Sequence, residues 1–140
     1  MLTDHHQIVA GVVLLSVIGI AYGGTFLLRV FRGNVPANDL QKSFFRAGHA
    51  HAGVLVILGL LVLLLTQLNE VGQPWATLSF GVLFAAILMP AGFFLSVIGT
   101  DPPKPNAFIG VLWFGAALLT VGLAAAGIGL IAAGTNWSGN

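Results

Sequence analysis

Four stretches without a single Asp, Glu, Lys or Arg make up most of the chain: residues 7–28, 47–69, 71–100 and 105–140. Each can supply the roughly 20 apolar residues that carry a helix across a bilayer. In hydrocarbon every backbone N–H and C=O must pair within the chain, so runs of this kind become helices. Composition agrees: 57% of residues are hydrophobic and 6% charged, against roughly a quarter charged in soluble domains. The expected fold is all-α, a polytopic membrane protein with four transmembrane helices in an up-down bundle. The 140 residues form a single transmembrane domain, with helices expected near residues 5–31, 39–68, 75–99 and 106–134.

The charges set the orientation. All five basic residues, Arg29, Arg32, Lys42, Arg46 and Lys104, fall in the first and third connections. The positive-inside rule puts those connections in the cytoplasm and both termini, with the second connection, outside. The long stems of Arg29 and Arg32 can snorkel to the headgroups. Topology accounts for this basic segment, which is too short and too mixed for a nucleic-acid partner. The chain has no cysteine, which removes disulfides, iron–sulfur clusters, thiolate zinc sites and thioether-linked haem. Met1-Leu2-Thr3-Asp4 carries no basic n-region, and the apolar run after it exceeds a typical h-region, so the first block reads as a retained helix.

Thr3 or Asp4 can cap the first helix, and Gly19 and Gly23 have the GxxxG spacing of close helix approach. In the first connection Asn38 or Asp39 is the candidate N-cap; Leu40, Phe44 and Phe45 would then lie along the membrane surface. Residues 69–74 form the outer turn, and Trp75 opens the third helix at the interface, where indoles are favoured. Pro90 predicts a bend between Leu88 and Gly92. Residues 100–106 cannot be helical. The last helix is rich in small residues, with Gly110, Gly115, Gly122, Gly127 and Gly129 predicting packing over much of its surface; Trp137 marks the outer boundary. The halves share faint similarities, Phe26-Leu27 with Phe94-Leu95 and Gly53-Val54-Leu55 with Gly110-Val111-Leu112, in the sense of a parallel duplication. The second half has no counterpart to the histidines.

Chemistry concentrates in the segment from Arg46 to Gly53, where His49 and His51 open the second helix. At 100° per residue their side chains diverge by about 160°, which disfavours a His-x-His chelate. Gly48, Ala52 and Gly59, with Thr66, form a stripe of small residues between them, the natural seam for a neighbouring helix. Ile57, Leu61 and Leu64 face the other way. Three functional readings follow: haem b held by one imidazole, or by two from different helices or subunits; a proton or quinone site at the cytoplasmic edge; and a transition-metal site, for which no intramembrane Asp, Glu or Cys exists. Against them stands a structural reading in which both imidazoles bond to carbonyls or water near the headgroups. His5 and His6 read as a solvated tail, and Tyr22 and Met89 as packing.

The run Phe44-Phe45-Arg46-Ala47-Gly48-His49-Ala50-His51-Ala52-Gly53, with Gly92-Phe93-Phe94-Leu95-Ser96-Val97-Ile98-Gly99 later, resembles a family of small four-helix membrane proteins of actinobacterial type. The resemblance covers the whole chain; it implies fold and a bacterial cytoplasmic membrane, without an activity. Locally, the His-x-His helix resembles the haem-binding helices of respiratory oxidase core subunits. The function expected first is non-enzymatic, an accessory subunit of a larger membrane complex or a homo-oligomer acting through helix packing. Haem b or proton- and quinone-coupled redox chemistry at His49 and His51 comes second, and a small transporter third.

Overall fold

The computed structural model describes residues 4–137; the expectations for Thr3 and for the Trp137 side chain lie outside the described residues. The described residues form helices and no strands: α1 (Asp4–Phe31), α2 (Asp39–Leu68), α3 (Trp75–Ser79), α4 (Gly81–Leu95) and α5 (Ile109–Trp137). Residues 75–95 act as one span, so four helical segments are long and apolar enough to cross a membrane. The architecture is an all-α, four-helix bundle.

Three local features set the helix ends. At the start of α2, Asn38 forms a capping box with Gln41: its side chain accepts from the Gln41 N–H, and the Gln41 side chain accepts from the Asn38 N–H. The third span is interrupted at Phe80, ten residues before Pro90, and α4 runs through Pro90 to Leu95. It stops there, short of the expected residue 99, because the next carbonyls are taken from outside the helix. Asn106 donates its side-chain N–H to the Leu95 carbonyl at 2.9 Å and its backbone N–H to the Ser96 carbonyl at 2.7 Å. Ser96 and Val97 are fully buried in this unwound segment, which ends at Gly99 with φ +120° and Asp101 with φ +50°. The start of α5 moves to Ile109 because Asn106 turns the chain, accepting from the N–H groups of Phe108 and Ile109.

α4 sits between α2 and α5, while α1 packs chiefly on α2. Leu55 and Val56 of α2 meet Ala85, Ala86 and Met89 of α4 in the main core cluster. Glycines bring the backbones close. A Cβ on Gly122 would lie 2.7 Å from the Val82 nitrogen, and one on Gly81 would lie 2.6 Å from the Leu118 carbonyl. Gly115 and Gly129 likewise face Met89 and Trp75, whereas Gly110 and Gly127 face open space. On α2, Gly48 meets Phe93 and Phe94, and Gly59 meets Leu83. α1 is peripheral: no residue of its most apolar 18-residue window is buried. Of the GxxxG pair, Gly19 has nothing within 4 Å, whereas Gly23, with Gly24 beside it, is in van der Waals contact with the His49 ring of α2.

Candidate functional site at the histidine helix

The first turns of α2 collect most of the ring contacts found among the described residues, and Gly48 organises them. A Cβ there would stand 2.9 Å from the Phe94 ring and 3.0 Å from Phe93 Cβ. With that space open, the two phenylalanines of α4 straddle α2. Phe93 packs edge-on against Phe44 with ring centroids 5.7 Å apart, and meets the His51 ring at 4.9 Å. Phe94 stacks on Phe45 at 5.6 Å, and Phe45 in turn meets Phe26 of α1 at 5.4 Å.

The histidines therefore lie on opposite sides of a filled seam. His49 faces α1, where Cβ atoms on Gly23 and Gly24 would each lie 3.6 Å from one of its ring nitrogens. His51 faces α4. No group of three or more His, Cys, Asp and Glu able to hold a metal ion occurs among the described residues. Ala52 is half-buried beside the seam.

The two imidazoles also differ in hydrogen bonding. His51 Nδ1 lies 2.8 Å from the Ala47 carbonyl oxygen. A carbonyl carries no proton, so Nδ1 must carry it, and in the neutral ring the lone pair is then on Nε2. Neither nitrogen of His49 bonds to another described residue, and both rings are half-buried. At the far end of the molecule His5 is exposed, but His6 is not a freely solvated tail residue: its ring stacks on Phe80 at 5.8 Å. Beside it an apolar groove of about 290 Å³ runs between α1 and α4, lined by Val9, Val13, Ser16, Leu83 and Ile87.

The five basic residues lie at the end that holds the first and third connections. Arg29, Arg32, Arg46 and Lys104 are exposed there. Lys42 pairs with Asp39 at 3.5 Å, but the Asp39 carboxylate is fully exposed and such a pair contributes little. What joins the two connections is a hydrogen-bond network, without an ion pair across it, that sequence reasoning missed. Buried Gln41 donates to the carbonyls of Val97 at 3.1 Å and Gly99 at 3.0 Å. Asn38 donates to Asp101 Oδ1 at 2.8 Å and to the Pro102 carbonyl at 2.9 Å. The Asn-x-x-Gln spacing of a capping box was the available signal.

Comparison with protein-family models, with curated proteins and with solved structures finds no match.

Proposed function

We propose that the chain is a small multi-pass protein of a bacterial cytoplasmic membrane, with both termini outside, that acts through helix packing as an accessory subunit or homo-oligomer. It belongs, in this reading, with the small four-helix actinobacterial proteins its sequence resembles. The observation that carries the proposal is α1: a helix of 28 residues whose apolar window is nowhere buried within its own chain. Association in a bilayer depends on van der Waals contact and interhelical hydrogen bonds, and α1 has most of its surface free for both. Native mass spectrometry of protein released from lipid nanodiscs tests it. The expected species is heavier than the 14.5 kDa chain; a monomer alone, with no protein co-purified from the native membrane, would refute the reading.

One observation favours a second reading, a haem b or proton- and quinone-coupled site at His49 and His51. The Nδ1–H of His51 is bonded to a backbone carbonyl, the arrangement that orients Nε2 as a metal ligand. His51 would supply one nitrogen ligand to the iron. A second would come from a neighbouring helix or subunit, because His49 points to the other side of the Gly48 seam. Haem would bring one-electron redox chemistry; the chain's part is to hold and orient it. Protein expressed with ample haem should then show a Soret band that is lost in His51→Ala. A colourless preparation would remove the haem reading.

A further inference from the structure

We propose that the face of α1 turned away from α2 docks a second copy of this chain, with the Tyr22 hydroxyls of the two copies bonded to each other. The inference rests on the association reading above and names its surface.

Tyr22 lies seven residues before Arg29 on α1, about 10 Å along the helix axis from the basic end. Side chains on a helix lean toward its N-terminus, which here carries the phenol still further from that end, toward the bilayer centre. Tyr22 is 77% exposed, and its hydroxyl bonds to no other described residue. Hydroxyls further inside the spans are satisfied internally: Ser16 donates to the Val13 carbonyl, Thr25 to that of Tyr22, Thr66 to that of Val62 and Thr120 to that of Ala116. A phenol held out by its ring cannot turn back onto its own helix in this way. Tyrosines of membrane helices favour the interface, where the hydroxyl meets water. About 10 Å inside the basic end of an apolar span, hydrocarbon offers the phenol no water to bond, and a partner from another molecule would satisfy it.

The surrounding face suits a helix. Ile8, Gly11, Leu15, Ile18 and Tyr22 follow one another at alternating spacings of three and four and are all exposed, the pattern of a left-handed helix pair. Gly11 has nothing within 4 Å. The opposite side of α1 is taken: Ile20 packs on the core, and at 100° per residue Tyr22 points about 160° away from it. A second copy fits better than an unlike partner because a two-fold axis along the membrane normal sets each seam residue beside its own counterpart. A phenol both donates and accepts, so Tyr22 is complementary to itself.

The absence of native cysteine allows a direct test. Single-cysteine variants at Leu15 and Ile18, and controls at exposed Ile57 and Ile131 on α2 and α5, are oxidised with copper phenanthroline in native membranes. Linked dimers are expected from Leu15→Cys and Ile18→Cys and not from the controls. Tyr22→Phe, which alters no contact within the chain, should weaken self-association roughly 3–10-fold when fluorescence energy transfer between labelled copies is followed on lipid dilution. Dimers linked only through Ile57→Cys or Ile131→Cys would overturn the interface and leave the association reading intact. Monomers at every dilution would overturn both as far as self-assembly is concerned. A Tyr22→Phe dimer as tight as the parent would remove the phenol from the interface.

Discussion

Gln41 is the residue whose role was hardest to see from its neighbours in the chain. It lies in an amphipathic first turn where Lys42, Ser43 and Arg46 suggest a polar surface, yet it is buried and closes the loop after α4 by two donated hydrogen bonds. Replacing it with methionine keeps the volume but leaves the Val97 and Gly99 carbonyls and the Asn38 N–H short of partners. Unsatisfied buried groups cost about 1–3 kcal/mol. Gln41→Met should therefore lower stability by an amount in that range, measurable by SDS-titrated unfolding followed through tryptophan fluorescence. Lys42→Ala, at an exposed pair, should leave the same curve almost unmoved. The histidines were partly legible: the helical period separates His49 from His51, but it does not say which neighbour each meets. That followed only from Gly23, Gly24 and Phe93 lying where they do.

Among the elements, α5 shows how glycine spacing selects a face. Gly115, Gly122 and Gly129 recur every seven residues and all three meet the third span, while Gly110 and Gly127 meet nothing. Glycine to alanine favours a helix interior by up to about 1 kcal/mol, so Gly127→Ala should be neutral or slightly stabilising. At Gly122 the added methyl would press on the Val82 backbone, and overpacking of this kind costs about 1–3 kcal/mol. Gly122→Ala should lower the melting temperature of the purified protein while Gly127→Ala does not; equal effects would contradict the seam. The seven-residue spacing was present in the sequence, but glycines at other registers masked it. Pro90 illustrates the converse. It marks a site of weakened backbone bonding, whereas the interruption of the span falls at Phe80, beside the tight Gly81–Gly122 approach.

At the scale of the whole molecule, α2, α4 and α5 form the packed body and α1 leans on one edge of it. The hydrogen bonds from Asn38 to Asp101 and Pro102 tie the first and third connections together at the basic end, opposite the turn that contains exposed Gln73. If the basic end is cytoplasmic, a membrane-impermeant thiol reagent should label Gln73→Cys in intact cells and Ser43→Cys only after permeabilisation. The reverse pattern would invert the topology.

The sequence by itself determined the all-α class, the number of spans and the grouping of basic residues in two connections. Those are one-dimensional properties: a bilayer demands a certain length of uncharged chain and keeps cations at its edge. Only the tertiary structure decided which glycines are seams, that α1 is peripheral, that Gln41 is buried and that the imidazoles face different helices. In a soluble protein the polar face of a helix would have revealed much of this. Here lipid-facing and helix-facing residues are equally apolar, so periodicity carries little information about direction, and close steric fit selects the partner.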